Sequence, residues 1–245
     1  MQNIRATIGY VVPSTNTTAQ PEIDDLRPHR VTNHISRMTI RNSSMVKQPG
    51  FDQVLSDIRA SATPAIESLS TASPDIIAVG VSPEGFWAGK ENQDRVVAEF
   101  VQDAKGTPVL TSADAFTAAF KALDISRIAV LTPYLAIGDT TVQRYFDDME
   151  YQVVGIRGLG AQTPASIGDI NFDQLREATL AVNSDEVQAI VQVGTNMPMA
   201  RFAAAAEIFL GKPVLSNNVV LYWHALRSLG IKDQFSYWGS LFEKH

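Results

Sequence analysis

Short apolar runs that stop at a glycine or a proline alternate along this chain with stretches whose apolar residues fall at helical spacing. That alternation constrains the fold more than any other feature, because strand-then-helix order favours parallel sheets covered by helices. The run over 4–12, apolar and β-branched, reads as a buried strand ended by Pro13. A polar turn, Pro13-Ser14-Thr15-Asn16-Thr17-Thr18, follows it, with Thr17 or Thr18 placed to cap a short helix through Glu22 and Leu26. Residues 31–40 read as a second strand. The spacing predicts a helix over 51–69 with Pro64 as a possible kink site, a strand over 75–81, a helix over 93–103, a strand over 107–111 and a helix over 113–123.

The pattern then starts again. Strands are expected at 127–131, 151–156, 187–193 and 213–215, with helices at 140–149, 172–182 and 200–210 between them and a last helix through Tyr222, Trp223, Leu226 and Leu229. Three landmarks recur in one order. Pro13 and Pro133 lie 120 residues apart, Gly80 and Gly194 lie 114 apart, and the Pro-Val-Leu segments beginning at Pro108 and Pro213 lie 105 apart. This reads as a duplicated unit. The expected fold is therefore α/β, with two pseudo-symmetric lobes, each a mainly parallel sheet flanked by helices. The active site is expected between the lobes. The first lobe is placed at 1–111 plus 217–245 and the second at 112–216.

Two of the strand ends carry glycine and then small polar residues: Val79-Gly80-Val81-Ser82 and Val193-Gly194-Thr195-Asn196. Ligands in open α/β sheets collect outside the carboxyl ends of strands, so two such turns suggest two halves facing one pocket.

Composition narrows the chemistry. A formal charge of −6 with no Lys/Arg cluster argues against nucleic-acid partners. No apolar run approaches the ~18 residues that span a bilayer, and no basic-then-apolar segment opens the chain, so no membrane partner and a cytoplasmic location are expected. With no cysteine in 245 residues, disulfides, thiolate metal sites and cysteine nucleophiles are excluded together.

A set of segments runs through the whole chain: Gly9-Tyr10-Val11-Val12-Pro13-Ser14-Thr15-Asn16-Thr17-Thr18, His34-Ile35-Ser36-Arg37-Met38, Ile76-Ile77-Ala78-Val79-Gly80 with Phe86-Trp87-Ala88-Gly89, Leu131-Thr132-Pro133-Tyr134, Gly194-Thr195-Asn196, Pro213-Val214-Leu215-Ser216 and Tyr237-Trp238-Gly239-Ser240-Leu241-Phe242. Together they resemble the aspartate/glutamate racemase superfamily, in its maleate cis-trans isomerase and arylmalonate decarboxylase branch. The resemblance implies two lobes with a site between them, no cofactor and no metal. It also implies a small carboxylate or dicarboxylate substrate, an anion held by preorganised donors, and a homodimer. Carried over, Asn16 binds a substrate carboxylate, and Ser82, Tyr134 and Thr195 form the anion hole with backbone N–H groups. Ser14, Val81, Gly194 and Asn196 are the further binding positions.

One departure from the family is severe. Isomerases and racemases of this kind place a cysteine at each of the two strand ends, and decarboxylases keep the second. The aligned positions here are Val81 and Gly194. The family's thiol chemistry cannot run in this chain, and three readings stand. In the first, an isomerase or decarboxylase of carboxylates works through a stabilised anion with another group moving the proton. Glu84, before Phe86-Trp87, is the candidate general acid, since a carboxyl against aromatic surface has its pKa raised; the plainer alternative is a solvated loop glutamate. In the second, Thr195 or Ser82 serves as the nucleophile of a hydrolase, which needs a base. His34 and His224 are available, but His34, on a strand, reads rather as a structural hydrogen-bonding residue, and His224, in an aromatic helix beside Tyr222 and Trp223, rather as a packed one. In the third, the pocket binds a dicarboxylate without turnover. Asn16 is also a common turn residue, and Tyr134 also a lid residue. Asn196, Asn217 and Asn218 are either pocket donors or helix caps. Lys90 and Arg201 are the cations available to an anion, and Met197-Pro198-Met199 is an expected apolar wall.

Overall fold

The structure, a computed structural model, describes residues 4–82 and 89–245. Its first half runs β1 (Ala6–Pro13), α1 (Ala19–Leu26), β2 (Val31–Met38), α2 (Gln48–Ser70), β3 (Ile76–Val79), α3 (Gly89–Asp103), β4 (Val109–Thr111) and α4 (Ser112–Leu123). The second half continues with β5 (Arg127–Thr132), α5 (Ala136–Asp148), β6 (Gln152–Gly158), a 3-10 turn (Ala165–Asp169) and α6 (Phe172–Val182). Then come β7 (Ala189–Gln192), α7 (Ala200–Leu210), β8 (Val214–Ser216), α8 (Asn217–Ser228) and α9 (Ser240–Lys244).

The strands form two four-stranded parallel sheets in the same spatial order, β2-β1-β3-β4 and β6-β5-β7-β8. β1 and β5, β2 and β6, β3 and β7, and β4 and β8 therefore occupy equivalent places, as the recurring prolines and glycines predict. In each sheet the chain moves outward from the first strand to an edge, then crosses back to its other side. That reversal puts a crevice at the carboxyl ends of β1 and β3 in one sheet and of β5 and β7 in the other. Both β3 and β7 are buried along their whole length, as continuous apolar strands covered on two faces must be.

Helix boundaries follow local chemistry. α4 opens with a capping box between Thr111 and Asp114, and α6 with one between Asn171 and Gln174. α2 begins at Gln48, ahead of the expected 51, with Pro49 in its first turn, where a missing N–H costs nothing. It continues as one helix through Pro64. α3 begins at Gly89 instead of 93. At α1, Thr18 takes the N-cap position but gives no side-chain cap. The oxygen comes from Asn16, whose Oδ1 accepts the N–H groups of Thr18 (3.1 Å) and Ala19 (2.9 Å). Met197 and Met199, expected as an apolar wall, are fully buried in the core instead.

α8 packs against α1, α4 and β3, and α4 carries Phe116 and Phe120 to Phe146 of α5. Among the described residues no helix is long and apolar enough to cross a membrane.

Candidate active site

The two crevices face one cavity of about 40 Å3, or about 430 Å3 with its open mouth counted. Four strand ends supply its polar side. Pro13 ends β1, and Thr15 and Asn16 follow it; Gly80, Val81 and Ser82 follow β3; Tyr134 follows β5; Gly194, Thr195 and Asn196 follow β7. The opposite wall is apolar: Ile40 and Met45 beyond β2, Val54 and Ile58 on α2, and Pro164 and Ile167 beyond β6.

Glycine is required at both turns. A Cβ on Gly80 would stand 2.8 Å from Cε1 of Tyr10 and 3.0 Å from Cγ1 of Val12. Gly194 has φ +98°, and a Cβ there would stand 2.8 Å from Cγ of Pro133. The duplicated glycines thus let each strand end pass close beside its neighbouring central strand.

Three hydrogen-bond sets lock the turns together. The Asn16 amide donates to the Thr195 hydroxyl at 3.0 Å, and that hydroxyl donates to the Gly80 carbonyl at 2.8 Å. Asn196 accepts the Thr17 N–H on its Oδ1 (3.0 Å) and donates to the Pro164 carbonyl (3.0 Å). The Ser82 hydroxyl accepts the Gly194 N–H and donates to Oδ1 of Asn217, both at 3.1 Å. The Asn217 amide in turn donates to the Ser112 hydroxyl at 2.7 Å. Ser112 and Asn217 occupy equivalent places in the repeat, the first residue of the helix after each edge strand. They meet as equivalent residues do across a two-fold axis.

Asn16, Ser82, Thr195 and Tyr134 are each at most 4% exposed and all line the cavity. Tyr134 is positioned from behind: its N–H donates to the Thr132 hydroxyl, which donates to Asp139. Burial raises the Asp139 pKa. None of the hydrogen bonds among the described residues uses the N–H of Val81, Ser82, Thr195 or Asn196. All four residues line the cavity.

The other expected residues lie elsewhere. Ser14 is exposed, exchanges hydrogen bonds with the Ile40 backbone and does not line the cavity. Glu84 falls outside the described residues, as do Phe86 and Trp87, and the Lys90 side chain is likewise not described. Arg201 is engaged with Asp25 at 2.5 Å and stacks over Trp238. His34 is on β2 and His224 on α8, where burial lowers its pKa; neither lines the cavity. Among the described residues, no lysine or arginine lines it either.

Sequence reasoning missed the apolar wall and the Ser112–Asn217 pair. Val54 and Ile58 give the same i, i+4 signal whether a helix faces a core or a cavity. For Ser112 and Asn217 a signal existed, since they stand at matching positions of the 105-residue repeat.

A family model described as arylmalonate decarboxylase matches residues 8–242. Among curated proteins, the maleate isomerase of Alcaligenes faecalis is 27% identical over 240 residues, covering 93% of this chain and 92% of that protein. The maleate isomerase of Nocardia farcinica is 26% identical over 229 residues, covering 91% and 90%. Among solved structures, Nocardia farcinica maleate cis-trans isomerase bound to TRIS superposes with a TM-score of 0.87 at 24% identity, covering 98% of both chains. A liganded double mutant of arylmalonate decarboxylase superposes at 0.82 with 18% identity, covering 98% of this chain and all of the other. These likenesses establish a shared fold.

Proposed function

Because the chain belongs to the arylmalonate decarboxylase family, we propose that it is an enzyme of small carboxylates, of decarboxylase or isomerase type, that works through a stabilised anion without thiols. The observation carrying this reading is the pairing of two strand-end turns over one cavity, each with N–H groups that no bond among the described residues uses. A substrate carboxylate held there keeps the same donors when bond breaking places negative charge on its oxygens, so the donors grip the enediolate more strongly than the substrate. In a decarboxylation the bond to the departing carbon dioxide breaks, its electron pair enters the enediolate, and a proton then reaches carbon. Tyr134 borders that space, and Glu84 remains the acid suggested by sequence.

The apolar wall of Ile40, Met45, Val54, Ile58 and Ile167 favours a substrate with carboxylate at the turns and an apolar substituent opposite. A carboxylate against that wall would be desolvated with no cation among the described lining residues. Phenylmalonate, whose two carboxylates share one carbon and can both face the turns with the ring on the wall, suits the site better than maleate, which has no apolar substituent and is the ligand of a maleate isomerase variant from Pseudomonas putida S16 with the same fold.

Hydroxyl nucleophiles fit less well. Thr195 gives its proton to the Gly80 carbonyl and Ser82 gives its proton to the Asn217 amide oxygen. Neither acceptor is a base, so both hydroxyls are read as positioning groups.

The test is proton NMR in D2O with phenylmalonate, methylmalonate and maleate. Loss of a carboxylate with deuterium at the α-carbon, fastest for phenylmalonate, is expected. Absence of turnover for all three, with line broadening that reports binding, would overturn the enzymatic reading in favour of a binding protein.

A further inference from the structure

Glu22 carries a carboxyl that the chemistry above does not use. It projects from α1 to the start of two other helices: one oxygen accepts the Ala200 N–H at 2.9 Å and the other accepts the Asn218 amide at 2.7 Å. Ala200 opens α7, whose N-cap residue, Met199, has no oxygen to offer, so Glu22 takes the place of the missing cap. Asn218 uses its amide a second time, donating to the Thr195 carbonyl at 2.8 Å, and its oxygen accepts the hydroxyl of the fully buried Tyr10 at 3.3 Å. A single residue thus separates this carboxyl from the Thr195 turn.

The Asn218 amide and the Ala200 N–H face the two oxygens, the Met199 N–H adds its pull, and among the described residues no cation is paired with them. On α1 the neighbouring Asp25 adds like charge and is itself engaged by Arg201 of α7. On β1 the facing group is Tyr10; on α8 it is Asn218, with Tyr222 beyond it bound to Asn33. Burial, the largest influence, lifts the pKa from 4.5 to about 7 against the pull of the hydrogen bonds from Asn218 and the α7 backbone.

We propose that Glu22 is a positioning residue for the Thr195 turn, and that its gain or loss of a proton shifts residues 195–200 at the cavity edge. The ionised carboxylate accepts from both donors. Once protonated, one oxygen becomes a weaker acceptor that must turn its hydrogen away from the facing N–H, so the bond from either Asn218 or Ala200 is weakened or lost. Release of Asn218 loosens its grip on the Thr195 carbonyl, and release of Ala200 frees the first turn of α7. Both motions reach Thr195 and Asn196. The inference rests on reading that turn as part of the site, but its test needs no substrate and stands whatever the turnover experiment gives.

The experiment follows amide 1H–15N signals of the full chain between pH 5.5 and 8.5 without ligand, alongside the 13C signal of the Glu22 carboxyl. Thr195, Asn196, Ala200 and the Asn218 side chain are expected to share one inflection with that carboxyl near neutrality, and to lose it in Glu22→Gln. A carboxyl that titrates while those amides stay still overturns the proposal, and so does a carboxyl with no inflection in this range. An inflection that persists in Glu22→Gln assigns the movement to another group, His224 first, and overturns it as well. Should Glu22→Gln fail to fold, coincidence or disagreement of the wild-type carboxyl and amide curves decides the question.

Discussion

Asn16 and Thr195, 179 residues apart in sequence, hydrogen-bond to each other at 3.0 Å where the ends of β1 and β7 meet. The bond joins the two halves of the repeat at the edge of the cavity. Each partner also serves elsewhere, since Asn16 caps α1 and Thr195 holds the Gly80 carbonyl.

Thr195→Val keeps the shape and removes the hydroxyl. The Asn16 amide hydrogen and the Gly80 carbonyl then lie buried without this partner, which costs about 1–3 kcal/mol. Chemical denaturation should show a lower midpoint at an unchanged slope.

Asn16→Asp and Asn16→Ala separate the two roles of that side chain. Aspartate still caps α1 but turns a donor toward Thr195 into an acceptor, whereas alanine loses both functions. Alanine should therefore be the less stable by about 1 kcal/mol, read from thermal melts. Both variants should bind phenylmalonate at least roughly tenfold more weakly by calorimetry, the loss expected when a preorganised donor set is disturbed.

Restoring a thiol is expected to be feasible at only one turn. Gly194→Cys must hold a side chain at φ +98° with its Cβ 2.8 Å from Pro133, and it should destabilise by roughly 1–3 kcal/mol. Val81→Cys needs no left-handed backbone and should melt within a few degrees of the parent. Equal melting temperatures for the two variants would contradict the strain assigned to Gly194.

Glu22 makes a signed prediction for stability. Its pKa in the folded chain, about 7, lies above the ordinary 4.5, so between those values the folded state binds more protons than the unfolded one. Stability then falls as pH rises through this window and levels off above it. Relative to Glu22→Gln, which does not titrate, the parent should lose roughly 2–3 kcal/mol between pH 4.5 and 7.5, measured by denaturation at several pH values. A constant difference across that window would contradict the raised pKa.

Tyr134→Phe is expected to lower kcat for phenylmalonate by roughly 10- to 100-fold, with KM changed less than threefold, if the phenol helps move the proton. A loss carried by KM alone would make Tyr134 a binding residue.

Much of this arrangement could be read from the sequence because its signals are local. Pro13, Pro133, Gly80 and Gly194 punctuate strand ends, and strand ends are where open α/β sheets place their ligands. Asn16, Ser82, Tyr134 and Thr195 all sit within three residues of those ends. Ser14 marks one limit of such signals: two positions before Asn16, it turns toward Ile40 and the surface, because the chain bends there to begin α1. Glu22 marks a second. Its helix is polar on that side, and the burial of its carboxyl comes from partners 178 and 196 residues away. No window of sequence contains both. The apolar wall was hidden for a third reason, since periodicity records that Val54 and Ile58 are turned inward but not whether protein or empty space meets them.

Pro13-Ser14 and Pro133-Tyr134 are equivalent steps of the repeat, yet Tyr134 lines the cavity and Ser14 does not. A flat intermediate at the junction would meet similar main chain on both of its faces and a phenol-bearing residue beside only one. The duplicated scaffold is close to indifferent to left and right, and a departure from symmetry such as this one gives it a hand. If the chain decarboxylates malonates, one with two different α-substituents should give a product with one enantiomer in excess.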